Sequence, residues 1–202
     1  MIYFTLQRND RKSLITYYAY ANKDFTGFEN EPKQLFSAKY GSIDNDIIER
    51  DGTYHLFYKG NTKDENGKEV KNGIQQATSK SLKGKWKEDF RYVDAYAGKT
   101  PVEGSSIFKL NGKDEYVLMY DMYTSGRYEY QTSTDLYHFS EPKAFTKDFF
   151  PRHGSVISLT RDELQRLQEK WGSLLPYQFE SHGNPLIRHM HTAAPAALVK
   201  GD

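Results

Sequence analysis

Three short segments carry ionisable side chains at a regular spacing along the chain. They read SIDND at 42–46, PVEGSS at 101–106 and PRHGS at 151–155. Asp44 and Glu103 are 59 residues apart, and Glu103 and His153 are 50 apart. Glycoside hydrolysis needs one carboxylic acid that protonates the leaving oxygen and a carboxylate that activates water or attacks, with nearby charges deciding which group keeps its proton. The spacing therefore predicts a sugar site if the fold brings these segments together.

Each of these residues also has a purely structural interpretation. An Asp between Ile43 and Asn45 is common in a turn or at a strand edge, and a loop histidine such as His153 is often held by hydrogen bonds. Glu103 lies beside Gly104 and among apolar neighbours, which indicates a carboxylate close to a buried place. The residue types alone leave both interpretations open.

The composition excludes several classes of protein. The 202 residues include 28 Lys and Arg against 27 Asp and Glu, so the net charge is +1. Such a balance provides no broad positive field for a nucleic acid or an anionic membrane, and we expect neither as a partner. Without Cys there is no disulfide, thiolate metal site or Cys nucleophile, and the compartment stays open.

The same composition predicts a folded chain that does not cross a membrane. Sixteen Tyr, 12 Phe and two Trp are too many for a disordered segment. The longest apolar runs, at 116–120 and 193–199, are too short to span a bilayer. Residues 2–7 resemble a strand and lack a basic region and a cleavage site, so we expect no signal peptide in this chain.

Other catalytic or metal-binding motifs are weak or missing. His189 and His191 are two residues apart, but no spaced carboxylate or third ligand accompanies them, so we predict no metal site there. The sequence has no P-loop, dinucleotide fingerprint, HExxH or nucleophile elbow.

Short aromatic and β-branched runs separated by turn residues predict antiparallel hairpins. Asp51-Gly52 and Asn111-Gly112 are typical hairpin turns between two such runs. A polar turn that ends in an aromatic residue recurs at Phe28, Trp86 and Phe139, which gives a period of about 55 residues. Each unit has a strand, this turn, a loop with an ionisable motif and a hairpin, as propeller blades do. About three and a half blades fit in the chain.

One helix interrupts this pattern. Thr160 and Glu163 form a capping box, and Gly172 is a typical stop. Leu164, Leu167 and Trp171 share one face, so we expect the helix to pack with that face on the outside of the β domain.

Six segments follow one another in a recognisable order: 17–25, 42–46, 51–59, 102–104, 116–121 and 151–156. On these segments, the chain resembles glycoside hydrolase family 43 over residues 1–172. The resemblance implies an all-β fold of the five-bladed β-propeller type, with three to four blades present and one short peripheral helix. It implies an inverting hydrolase of arabinofuranosides or xylosides in plant-type polysaccharide.

The resemblance also assigns roles to residues. Glu103 corresponds to the general acid, and Asp44 to the carboxylate that orients it and tunes its pKa. By like-charge repulsion, Asp44 is expected to raise the pKa of Glu103 and hold it protonated near neutral pH. His153 and Arg152 match the family's histidine segment near the propeller axis, where some members hold a calcium ion or a water. No other cofactor is implied, and a saccharide is the expected partner.

The general base of that family belongs to the first blade, which here is expected to precede Met1. Residues 184–199 resemble the opening of a second family 43 domain, with Ala194 at the position of the base. We therefore expect a partial propeller at 1–172 and a linker at 173–185. Residues 186–202 then form the first strand of a second module or a surrogate first blade, and turnover is weak or absent.

Two other functions stay open. A non-catalytic propeller could bind a glycan in the same cavity, and a propeller that binds proteins would not need Asp44, Glu103 and His153 to converge. Relatives commonly act in the periplasm or outside the cell, but this sequence does not indicate a location.

Overall fold

The computed structural model describes residues 1–7, 9, 14–60, 63, 66–68, 70, 72–145 and 152–172, and the backbone of 193–197. The elements are β1 (Ile2–Gln7), β2 (Leu14–Ala19), β3 (Lys33–Phe36), β4 (Ser42–Arg50), β5 (Thr53–Gly60), β6 (Ile74–Ser79), β7 (Lys87–Tyr92), β8 (Glu103–Lys109), β9 (Tyr116–Met122), β10 (Arg127–Ser133), β11 (Lys143–Ala144), α1 (Arg161–Trp171) and β12 (Ala193–Ala197).

The strands form three four-stranded antiparallel sheets. The first sheet has the order β12-β1-β2-β3, the second β4-β5-β6-β7 and the third β8-β9-β10-β11. Strand β4 contacts both β12 and β8, so the strands at the first position of each sheet lie next to one another. This is how neighbouring blades of a propeller are arranged.

Turn chemistry fixes the hairpins. Asp51 and Gly52 have φ values of 50° and 70°, as the tight turn between β4 and β5 requires. Gly112, between β8 and β9, has a φ of 72°. The two predicted hairpin turns therefore join the strands that the sequence assigns to them.

Two hydrophobic clusters hold the sheets together. One lies between the first and second sheets and includes Tyr3, Tyr18 and Tyr58. The other lies between the second and third sheets and includes Phe57 and Tyr120. Burial of large aromatic side chains is the main contribution to the stability of a fold built from such small sheets.

The first-position strands of the second and third sheets each contain a bulge near their beginning. The pairing of β4 with β5 shifts between Ile43 and Asp46, and that of β8 with β9 shifts between Glu103 and Ser106. A bulge re-aims the side chains at its residues. Residues 43–46 therefore lie in a strand, as their β-branched run indicates, and residues 103–106 lie in a bulged strand where the repeat pattern predicts a loop.

The helix forms where the sequence places it, but its predicted packing is wrong. Thr160 caps α1 with a complete capping box to Glu163, and Gly172 ends it. None of its residues is buried, and Trp171 is 72% exposed. An amphipathic pattern tells which face is apolar but not what covers it.

Strand β12 pairs antiparallel with β1, with Ala196 opposite Tyr3 and Ala193 opposite Thr5. The predicted linker at 173–185 lies outside the described residues, and the division of the chain into domains stays a prediction. In the described part of the chain, no helix has the length and apolar character needed to cross a membrane.

Candidate active site

The two bulges lie against each other and bring the predicted acids together. The backbone N–H of Gly104 donates a hydrogen bond to Asp44 Oδ2 at 3.0 Å. The Ser105 hydroxyl donates to the backbone oxygen of Asp44 at 2.6 Å. Asp44 has a φ of 54° and Gly104 one of 65°, so both bulges use the left-handed region of the backbone.

Glu103 lies between two basic side chains. Lys59, at the end of β5, donates from Nζ to Glu103 Oε2 at 2.5 Å. His153 Nε2 lies 3.3 Å from Glu103 Oε1. The side chains of Lys59 and Glu103 are only 21% and 19% exposed, so water screens this ion pair weakly.

A third carboxylate completes the arrangement. Asp121 is fully buried on β9 and is the cross-strand partner of Glu103. Arg152 Nε donates to Asp121 Oδ2 at 2.6 Å, and His153 Nε2 lies 3.7 Å from the same oxygen. Asp121 therefore fixes the segment that carries Arg152 and His153. We call Asp44, Lys59, Glu103, Asp121, Arg152 and His153 the carboxylate cluster.

The electrostatics of Glu103 contradict the expectation that Asp44 keeps it protonated. The hydrogen bond from His153, and then the bond and charge of Lys59, lower the pKa of Glu103 to about 2 against the opposing effect of burial. The two basic contacts outweigh the effect of burial. Glu103 is therefore ionised at neutral pH.

Asp44 and His153 are shifted in the other direction. Burial raises the pKa of Asp44, although the Gly104 N–H and the His153 and Lys59 charges partly offset it. The hydrogen bond to Glu103 raises the pKa of His153, and the nearby carboxylates add to this. The site thus favours an imidazolium beside an ionised Glu103 and a more easily protonated Asp44.

The two residues that follow Asp44 are not part of the carboxylate cluster and instead make hydrogen bonds between the sheets. Asp46 accepts hydrogen bonds from the Tyr3 hydroxyl at 3.1 Å and from the Ile107 N–H at 2.9 Å, and its burial raises its pKa to about 6. Asn45 donates to Thr5 and Thr16. These bonds connect β4 with the first and third sheets.

The structure brings together Asp44, Glu103, Arg152 and His153, which the sequence singled out. It adds Lys59 and Asp121, which the sequence analysis missed because a Lys at a strand end and an Asp after an apolar run are unremarkable patterns. For Ala194 only the backbone is described, and His189 and His191 lie outside the described residues. No group of three or more His, Asp and Glu suited to a metal ion occurs among the residues that the structure describes.

Comparison with known proteins identifies relatives of this chain. Residues 1–165 match a family related to glycoside hydrolase family 43, described as "Probable glycosyl hydrolase domain". No curated protein matches the chain.

Among solved structures, a family 43 β-1,3-galactosidase with galactodeoxynojirimycin is 21% identical, with a TM-score of 0.50, over 68% of this chain and 40% of that one. An endo-arabinase from Bacteroides thetaiotaomicron is 16% identical, with a TM-score of 0.45, over 70% of this chain and 54% of that one. A β-xylosidase is 13% identical, with a TM-score of 0.49, over 69% and 50%. The chain thus spans about half or less of these structures, and the galactosidase confirms the predicted propeller fold.

Proposed function

The chain belongs to the family of glycosyl hydrolase domains related to glycoside hydrolase family 43, and on that premise we propose that its carboxylate cluster acts on the O-glycosyl bond of a saccharide. The observation that carries this proposal is the convergence of Asp44, Glu103 and His153, which are separated by 59 and 50 residues in the chain. A propeller with a purely structural or protein-binding role would not need it.

In this proposal Glu103 is the general acid. Its carboxyl group gives a proton to the glycosidic oxygen as the bond to the anomeric carbon breaks, and a base on the other side of the sugar activates the attacking water. Asp44 orients the acid, because its carboxylate holds the backbone N–H of Gly104, the residue next to Glu103. Inversion at the anomeric carbon follows from attack by water without a covalent intermediate.

We further propose that arabinofuranosides and xylosides are the substrates. The base of the reaction corresponds to Ala194, whose methyl group cannot accept a proton. Strand β12 pairs with β1 in the first sheet and contacts β4, which carries Asp44. The chain by itself is therefore expected to hydrolyse these sugars weakly.

A second candidate is sugar binding without turnover. It is favoured by the ion pairing of Glu103 with Lys59 and His153, which leaves the proposed acid without its proton at neutral pH. A carbohydrate-binding propeller would use the same charged groups as hydrogen-bond partners of sugar hydroxyls.

The test is the hydrolysis of 4-nitrophenyl α-L-arabinofuranoside and β-D-xylopyranoside, with the β-D-galactopyranoside beside them. We expect slow release of nitrophenol by the chain, and a gain of about 100-fold or more in Ala194→Asp, since general bases contribute on that scale. With xylobiose, whose sugar leaving group needs a proton, adding Glu103→Gln should remove the gain, whereas Glu141→Gln, a change at an exposed residue, should not.

The outcomes separate the candidates. Hydrolysis of xylobiose that survives Glu103→Gln would exclude Glu103 as the acid, because a sugar leaving group needs a proton more than nitrophenolate does. Hydrolysis of the galactoside alone would correct the substrate class. Saccharide binding in calorimetry without turnover in any variant would favour the second candidate. NMR of the first-formed sugar anomer tests inversion.

A further inference from the structure

The position of Lys59 in the carboxylate cluster suggests that it does more than neutralise the charge of Glu103. Its ammonium is 2.5 Å from Glu103 Oε2, and both side chains are about four-fifths removed from water. If this ion pair were exposed to water, it would stabilise the protein little. A short, partly buried pair instead fixes where the carboxylate oxygen lies.

Lys59 is itself held in place by residues just outside the neighbouring strands. Its ammonium lies 5.3 Å from the centroid of the Tyr123 ring, within cation–π range. The Tyr123 hydroxyl donates to Asn72 Oδ1 at 3.0 Å, and Asn72 Nδ2 donates to the backbone oxygen of Val102 at 2.9 Å. Since Val102 precedes Glu103, these contacts form a closed circuit that begins and ends at the acid.

We propose that Lys59 is a positioning residue for Glu103: its ammonium fixes the place of the carboxylate and stabilises it again each time the proton has left. The proposal rests on the proposed function, in which Glu103 takes a proton from solvent and passes it to the glycosidic oxygen. The electron pair of the broken C–O bond stays with that oxygen. Glu103 is then a carboxylate, the form that Lys59 pairs with.

Relative to the protonated acid, this arrangement favours the transition state. Negative charge develops on Glu103 as the proton moves, so a fixed ammonium beside Oε2 lowers the free energy of that step. The same ammonium disfavours the protonated acid before the step. Lys59 therefore affects both the rate of proton transfer and the pH at which Glu103 becomes protonated.

Five charged groups lie around Glu103. Lys59 on β5 and His153, in the segment that precedes α1, contact its carboxylate, and the charge of Asp44 on β4 interacts with it. Asp121 on β9 pairs with Arg152 and lies 3.7 Å from His153 Nε2. Without Lys59, one cation contact and both neighbouring carboxylates remain. The pKa of Glu103 should then rise, because an opposite charge at this distance is worth about 1 to 3 units.

The direct test is an NMR titration of the Glu103 side-chain carboxyl in the 202-residue chain, assigned by the resonance lost in Glu103→Gln. We expect the midpoint to rise by about 1 to 3 units in Lys59→Met and to stay low in Lys59→Arg. Lys109→Met is the matched control. Lys109 lies at the other end of β8 and pairs with Asp114 at 3.0 Å, so the Glu103 midpoint should not move.

An unchanged midpoint in Lys59→Met would overturn the proposal. Circular dichroism checks the fold, and Lys59→Gln replaces the Met variant if that protein does not fold. In the Ala194→Asp protein, Lys59→Met should lower kcat about tenfold at pH values where Glu103 is protonated, with little change in KM, and it should move the alkaline limb of the pH profile, where the acid loses its proton, to higher pH. A merely structural lysine would leave that limb where it is.

The titration does not depend on turnover, so the two proposals can fail separately. A shifted midpoint with no hydrolysis in any variant overturns the assignment of Glu103 as an acid, and with it the catalytic role of Lys59. Hydrolysis with an unshifted midpoint overturns the role of Lys59 alone.

Discussion

Asp44 and Glu103 lie at equivalent points of neighbouring sheets, yet their environments are opposite. Each is near the beginning of a first-position strand, at a bulge with a residue in the left-handed region. Asp44 is 7% exposed and accepts a backbone N–H, and burial raises its pKa. Glu103 contacts two basic side chains, and its pKa falls to about 2. The backbone feature repeats, but the neighbours decide what each carboxylate does.

The difference between Asp44 and Glu103 also shows which of their contacts hold the backbone in position. The bond from Gly104 to Asp44 connects the two bulges to each other, so Asp44 acts on the backbone of the acid. The contacts of Glu103 with Lys59 and His153 are made by its side chain and can be exchanged for those of a ligand. Replacements at the two positions should therefore have different effects. Replacing Asp44 mainly affects the stability of the fold, and replacing Glu103 mainly affects the titration and chemistry of the site.

The largest effect on stability is expected at Asp44. Asp44→Ala leaves the Gly104 N–H without its acceptor and places alanine at a φ of 54°. Together these should lower the free energy of unfolding by about 2 to 4 kcal/mol. Asp44→Asn keeps an acceptor oxygen and tolerates this backbone conformation, so it should cost about 1 kcal/mol or less. Urea unfolding measures both, and equal losses in the two variants would mean that the charge and not the hydrogen bond matters.

The next effect is a pH dependence of opposite sign at the two acids. The folded pKa of Glu103, about 2, is below the ordinary 4.5, so its stabilisation is present above pH 4.5 and lost as the pH falls toward 2. The loss should be at most about 3 kcal/mol. The pKa of Asp44 is raised above 3.8, so its contribution is largest below that pH and declines as the pH rises through the folded value.

Unfolding curves from neutral pH down to about pH 2, with Glu103→Gln and Asp44→Asn as comparisons, separate the two contributions. The stability difference between the wild type and Glu103→Gln should shrink toward low pH. The difference between the wild type and Asp44→Asn should change in the opposite direction. Parallel curves for the two variants would contradict the contrast between the sites.

A smaller effect is expected at the glycine between the two acids. A Cβ at Gly104 would lie 3.1 Å from the His153 ring, on a backbone with a φ of 65°. Gly104→Ala should therefore cost about 2 kcal/mol. Gly112→Ala has the same backbone strain, at a φ of 72°, but open space around the Cβ, and should cost about 1 kcal/mol. Equal losses would show that His153 moves aside freely.

The repeated architecture could be predicted from the sequence because period-2 patterns and tight turns are local. Runs such as 54–58 and 116–120 lie in β5 and β9, and Asp51-Gly52 forms the expected hairpin turn. The outer strands were harder to predict. Strand β7 (Lys87–Tyr92) is half exposed and largely polar, so it lacks the apolar pattern that marks an inner strand.

The site was only partly predictable, for a different reason. The acids and His153 could be named from their motifs and spacing, but the charge around Glu103 depends on Lys59, which sequence proximity does not connect with residue 103. The expected protonation of Glu103 was wrong because only the repulsion from Asp44 was considered. Distances between β5 and β8 decide that balance, and a sequence does not contain them.

The most direct test of the central claim is to map saccharide binding on the chain by NMR. Xylo- and arabino-oligosaccharides are added to the labelled protein while the backbone amides of Asp44, Gly104 and His153 are followed. The account predicts that these signals shift together with one affinity, and that Glu103→Gln weakens the binding. Shifts confined to outer strands such as β7, with the three amides unmoved, would contradict a sugar site at the carboxylate cluster.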